Sequence, residues 1–146
     1  MRRKGILAIV VIVLAAGLQL YQPERKNPPS NPAASFEAVA RPAPELADVL
    51  RRACYDCHSN ETKWPWYSRV SPVSWLIARD VQRGRAHLNF SEWNRLSPQA
   101  AQQKLVEACE EVRAGQMPLA LYRWFHPEAR LAATEVDRIC AASKAP

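Results

Sequence analysis

The chain has 146 residues, four glycines, twelve prolines and a formal net charge of +6. That length holds one domain at most, and few glycines beside many prolines argue for helices joined by stiff loops rather than for a β protein. Arg2, Arg3 and Lys4 supply three of the six charges and leave +3 on the rest, with no further basic run, which argues against nucleic acid as a partner.

Met1-Arg2-Arg3-Lys4 is a positive leader, and Ile6 to Leu18 follows without a charge or a strongly polar residue. Residues 1–21 are therefore expected to form a signal anchor, a single transmembrane segment. From Gly5 to Tyr21 the stretch just reaches the lower limit of about 17 residues for a span. Ala15-Ala16-Gly17 is the candidate cleavage site, but it sits inside the apolar run, so an uncleaved anchor is favoured over a cleaved signal and a free periplasmic domain. The basic leader would remain in the cytoplasm and the rest would lie on the periplasmic side of a bacterial inner membrane. Residues 22–43, with Pro23, Pro28, Pro29, Pro32 and Pro42, are expected to be an extended tether, at about 3.1 Å per residue where it is polyproline II.

Residues 44–146 are expected to be the working domain. Pro44 opens a helix whose apolar stripe runs through Leu46, Val49, Leu50, Ala53, Cys54 and Cys57. The stripe ends in Cys54-Tyr55-Asp56-Cys57-His58, the spacing of a c-type haem attachment site. Two thiols one helical turn apart can each add across one porphyrin vinyl group, and the next residue's imidazole can then bind the iron. A zinc half-site needs a second close pair, which Cys109 and Cys140 do not make. A thioredoxin-like redox pair needs a βαβ pattern that is missing, and a structural Cys54–Cys57 disulfide is the remaining competitor.

Residues 59–70 read as a loop carrying Trp64-Pro65-Trp66-Tyr67, aromatic enough to pack on a haem or simply on the core. Pro65 or Pro72 is a candidate to offer the carbonyl that orients His58. Ser71-Pro72 reads as a helix cap for a segment through Trp75 and Val81 that stops near Gly84. Arg83 and Arg85 are candidates for haem propionates, against the plainer reading of solvated helix-end charges. Ser91 starts a short turn with Trp93, and Ser97-Pro98 caps a long helix with Ala101, Leu105, Ala108, Cys109 and Val112 on one face and Gly115 as its stop.

Gly115-Gln116-Met117-Pro118 holds the chain's one methionine besides Met1. Its thioether is a candidate sixth ligand that favours ferrous iron, against a core methionine filling a gap. His126 is its main rival and His87 a lesser one. A final helix, capped by Thr134 or a neighbour, runs through Val136, Ile139 and Cys140. Cys109 and Cys140 fall on apolar faces, where a disulfide and two separate buried thiols are both open.

Together these pieces resemble the haem-binding domain family of small exported bacterial monohaem proteins. The resemblance is carried by Cys54-Tyr55-Asp56-Cys57-His58-Ser59-Asn60 with Thr62, by Trp64-Pro65-Trp66-Tyr67-Ser68, and by Pro72 with Ser74-Trp75. It continues in Gly84-Arg85, Leu88-Asn89-Phe90-Ser91-Glu92-Trp93, Gly115 with Met117-Pro118, and His126-Pro127-Glu128-Ala129. It implies one haem c held by Cys54 and Cys57, with His58 proximal and Met117 distal. Trp64, Trp66, Tyr67, Trp75, Arg85 and His126 are then candidate haem-pocket residues. The late chain departs from the family pattern, since Ala132 follows Leu131 and residues 136–146 hold no aromatic.

The expected fold is all-α and cytochrome c-like, with four or five helices and long loops behind the anchor. The expected function is one-electron transfer with redox protein partners, and the alternative is a haem sensor or small peroxidase with an open sixth position.

Overall fold

The computed structural model describes residues 2–144; Met1 of the expected leader and Ala145 and Pro146 at the end of the expected domain lie outside it. Among the described residues there are eight α-helices, four short 3-10 turns and no strand. The helices are α1 (Arg2–Gln19), α2 (Phe36–Ala40), α3 (Pro44–Ala53), α4 (Tyr55–His58), α5 (Val73–His87), α6 (Pro98–Arg113), α7 (Ala120–Phe125) and α8 (Ala133–Ala142). The all-α class is as expected, while α2, α4 and α7 raise the number of helices. These three have four to six residues each, too short for an apolar periodicity to stand out.

α1 forms where the anchor was expected, and its apolar side chains are exposed. Among the described residues, however, no helix is long and apolar enough to cross a membrane. Three of the helix's 18 residues are the basic ones at its start, and residues 5–19 rise only about 22 Å against a hydrocarbon core of about 30 Å. The expected spanning segment is corrected on this point.

The expected tether is corrected as well. Residues 22–43 do not extend away from the domain but lie along it. The Asn27 side chain donates to the Thr62 carbonyl at 2.9 Å, and the Asn60 side chain donates to the Pro29 carbonyl at 3.2 Å. Ser35 caps α2 through the Ala38 amide, and Phe36, 2% exposed, enters the core. That core is an aromatic cluster. Phe36 meets Trp93 edge-on at 4.8 Å, and Tyr55 stacks on Phe90 at 5.1 Å. Leu46, Val49, Leu50 and Ile139 close around them. The prolines suggested an extended strap, but burial of one ring, at roughly 2–3 kcal/mol, binds that strap to the fold.

Helix ends explain several boundaries. Ser97 accepts from the Ala100 amide and Pro98 opens α6, as expected. Gly115, at φ +68°, takes the left-handed conformation that ends it. Ser71 does not cap α5; the helix starts at Val73 without a side-chain cap, and the Ser71 amide instead donates to the Gln19 side chain at 2.9 Å. Thr134 does not cap α8 either; the Glu135 carboxylate accepts from the Ala132 amide at 2.8 Å.

Cys109 and Cys140 are joined as a disulfide with Cα atoms 4.8 Å apart. Their separation of 31 residues gives a cross-link worth roughly 3–4 kcal/mol in the chain-entropy account. It fastens α8 to α6 at the late part of the chain, where no aromatic is available to pack.

Truncating Phe36 tests whether the strap belongs to the domain. Phe36→Ala is expected to cost about 3–5 kcal/mol, read as a lowered urea midpoint of the full chain. A midpoint within error of the parent would return residues 22–43 to a passive tether.

Candidate functional site

α3 and α4 are nearly one helix, broken at Cys54, whose φ of −123° is not helical. The break does not release the thiols from register, because the His58 amide still donates to the Cys54 carbonyl at 2.9 Å. It turns Tyr55 into the aromatic cluster, against which Cys54 also packs, and leaves Cys54, Cys57 and His58 half-buried. Cys54 and Cys57 are both free, so the competing disulfide between them is absent.

α5 crosses α4 at Gly84. A Cβ placed on Gly84 would lie 2.5 Å from the Cys57 carbonyl oxygen, closer than any real side chain comes. Gly84 therefore serves close approach and not termination, and α5 runs on to His87. The continuation brings up Leu88, whose carbonyl lies 3.1 Å from His58 Nδ1. Neither Pro65 nor Pro72 supplies that oxygen. With its proton on Nδ1 and donated to Leu88, the imidazole carries its lone pair on Nε2, the arrangement a metal ligand needs. Burial holds the His58 pKa below its ordinary value, so the ring is neutral near pH 7, although the hydrogen bond to Leu88 opposes the shift. Burial pushes the Cys54 and Cys57 thiols up to about 12, so they are protonated.

Two adjoining cavities, of about 220 and 680 Å³, share Cys54, His58, His87, Met117 and Pro118 among their lining residues. Leu50, Leu88, Phe90, Val112 and Ile139 make the smaller one apolar, and Cys57, Gly84 and Tyr122 line the larger. The cleft thus brings together Cys54, Cys57, His58 and Met117, the four expected ligand residues. Met117 follows the turn at Gly115, and its amide donates to the Glu111 carbonyl at 3.2 Å. The half-buried side chain that results lines both cavities.

The expected outer pocket does not assemble there. Trp64 donates to Asn27, Trp66 is 78% exposed, and Trp75 donates to the Tyr21 carbonyl. Arg85 spends its guanidinium on the Ser59 and Lys26 carbonyls, Asn27 and Thr62. His126 has both ring nitrogens engaged, Nε2 with the Tyr67 hydroxyl at 2.6 Å and Nδ1 with Glu128 at 2.9 Å. None of these residues lines either of those two cavities, although Tyr67 and His126 line a third, of about 70 Å³, together with Cys57, Leu119 and Tyr122. Of the two arginines considered for propionates, Arg83 lines the larger cavity and Arg85 does not.

His87 does line the cleft, although its side chain is largely exposed and lies 3.5 Å from Glu107. Tyr122 carries no signal in the sequence. Its hydroxyl donates to the Asp56 carboxylate at 2.8 Å, tying α7 to the centre of the cysteine motif. The Leu88 carbonyl had one signal, since the last carbonyls of a helix lack partners within it.

The donor set fits a flat metal macrocycle. Two protonated thiols one turn apart, a neutral imidazole with a fixed tautomer and a thioether share one apolar cleft. Among the described residues there is no cluster of three or more His, Cys, Asp or Glu for a bare ion. These features define a haem-type site. A family model described as a haem-binding domain matches residues 13–144, and the chain belongs to that family. Haem is accordingly its cofactor. No curated protein and no solved structure matches the chain.

Gly84→Ala separates packing from helix propensity. Alanine alone would favour α5 by up to about 1 kcal/mol, but the clash is with main-chain oxygen and cannot swing aside. A net destabilisation of about 1–3 kcal/mol is expected, together with less haem retained per chain. A variant more stable than the parent, with full haem content, would show that α4 and α5 do not meet as described.

Proposed function

We propose that this protein is a membrane-associated periplasmic monohaem c-type cytochrome that carries one electron. The observation that carries the reading is the gathering of Cys54, Cys57, His58 and Met117 around one apolar cleft. Cys54 and Cys57 would hold the haem covalently. Each S–H would add across one vinyl group, sulfur to one carbon and hydrogen to the other, with no oxidant required. His58 Nε2 and the Met117 thioether would hold the iron, and the bound cofactor would supply the couple between ferrous and ferric iron. The chain's own residues fix the imidazole through Leu88, exclude water with Leu50, Phe90, Val112 and Ile139, and place Met117 through the Gly115 turn.

With His58 and Met117 both holding the iron, no position would be open for substrate, which favours an electron carrier over an enzyme. Arg85 and His126, side chains that could stabilise a bound ligand in a sensor or peroxidase, are engaged elsewhere. The Cys109–Cys140 disulfide supports an oxidising compartment, and the leader with α1 supports export and keeps the domain at the membrane. Redox proteins are the proposed partners.

Ligation is tested by the ferric and ferrous spectra of the full chain in detergent, made with haem-attachment machinery, beside Met117→Ala. The parent is expected to be low-spin, with a weak long-wavelength band that vanishes in the variant, and to resist carbon monoxide that the variant binds. A parent already high-spin, or fast carbon monoxide binding to it, would favour the sensor or peroxidase. A spectrum unchanged by the substitution would remove Met117 from the iron and leave His87 as the cleft's other donor.

A further inference from the structure

Beyond Tyr21 and among the described residues, every exposed large apolar side chain except Val39 and Leu76 falls within residues 66–70 or 119–125. These two segments form one patch. The Tyr67 ring stacks on Phe125 at 5.0 Å, Trp66 meets Tyr67 at 5.7 Å, and Trp124 meets Phe125 at 4.9 Å. Trp66 is 78% exposed, Trp124 69%, Leu121 54% and Phe125 48%, a concentration that marks an interaction surface.

The patch lies beside the end of α1. The Gln19 side chain donates to the Arg69 carbonyl and accepts from the Ser71 amide. Gln22 donates to the Ser71 hydroxyl, Arg25 to the Ser68 carbonyl, and Trp75 to the Tyr21 carbonyl. The 66–71 turn is therefore clamped to the residues that leave α1 and must sit at the depth where that apolar helix ends. No free linker intervenes. Exposed Lys63 and Arg69 flank the rings, with Arg123 half-buried between Tyr122 and Trp124. The acids nearby are already engaged, Asp56 with Tyr122, Asp80 with Arg79 and Glu128 with His126.

We propose that Trp66, Leu121, Trp124 and Phe125 form the surface that seats the domain on an anionic lipid bilayer. The inference rests on the membrane location proposed above. Tryptophan rings, apolar with one polar N–H, favour the headgroup level. Leucine and phenylalanine reach below it, and Lys63 and Arg69 meet anionic headgroups. With α1 too short to cross the membrane as a helix, the patch adds a second hold and fixes the domain's orientation. Leu119 and Tyr122, which line the haem cleft, precede and adjoin the patch on α7, so the seated face lies near the cleft mouth.

The test is photolabelling of the haem-loaded full chain in vesicles of phosphatidylethanolamine and phosphatidylglycerol that carry a diazirine phospholipid, with adducts mapped by peptide. Adducts on residues 6–18, 66–70 and 121–125, with α6 at background, are expected. Trp66→Ser/Trp124→Ser should drop the two patch segments to the α6 level and leave α1 labelling and the haem spectrum unchanged. Replacing phosphatidylglycerol by phosphatidylcholine should reduce patch labelling severalfold. Labelled α1 with an unlabelled patch overturns this proposal alone and turns the rings toward a protein partner. No label anywhere overturns the membrane location too, and patch labelling equal in both lipids overturns the anionic preference.

Discussion

The approach of α5 to α4, with Gly84 against the Cys57 carbonyl, is the contact on which the site depends. A side chain at position 84 would hold the helices apart. Contact at that point carries α5 past Cys57 and delivers the Leu88 carbonyl to His58 Nδ1. One missing methyl group thereby decides which imidazole nitrogen is free. The cleft follows from the same contact, because the residues after α5 turn back through Phe90 into the aromatic cluster, and α6 and Met117 close the remaining sides.

Around that contact the chain divides its aromatic residues between two tasks. Phe36, Tyr55, Phe90 and Trp93 pack together under α3 and give the motif a rigid floor. Trp66, Tyr67, Trp124 and Phe125 gather on the outside, linked ring to ring but largely unburied. The division explains why the tryptophan-rich loop does not wall the cleft. Its neighbours are the residues leaving α1 and the short α7, and hydrogen bonds from Gln19, Gln22 and Arg25 hold it there.

The strap from residue 22 to 43 shows how a proline-rich stretch can be part of a core. Its first ten residues have no regular structure, but Asn27, the Pro29 carbonyl and Ser30 find partners on the domain, and Phe36 at the start of α2 supplies the burial. A free linker between α1 and the haem domain is absent as a result. The bond pattern also accounts for Arg85: a residue that looked free to meet a propionate instead fastens the strap to the Ser59–Thr62 loop through four hydrogen bonds.

Some of this was local and therefore legible in the residues. Cysteines three apart with an adjacent histidine must share one side of a helical turn. Ser97-Pro98 and Gly115 mark the ends of α6 through their own backbone preferences, and the apolar stripe of α3 announces its buried face. Met117 was legible as a candidate because a haem motif creates a demand for a second donor. Pairings between distant segments were not legible. The partner of His58 lies 30 residues away and that of Asp56 lies 66 away, and spacing carries no signal at such range. Cys109 and Cys140 could have been paired or separate until α6 and α8 brought their Cα atoms to 4.8 Å. Trp64, Trp66, Tyr67 and Trp75 showed the same limit, since aromatic content predicts burial or contact but not the neighbour. The sequence by itself determined the all-helical class and named the candidate donors, because those rest on local geometry and side-chain chemistry. The tertiary structure alone decided the histidine's tautomer, the disulfide, the course of the strap and the placing of the exposed rings, because each depends on which distant surfaces meet.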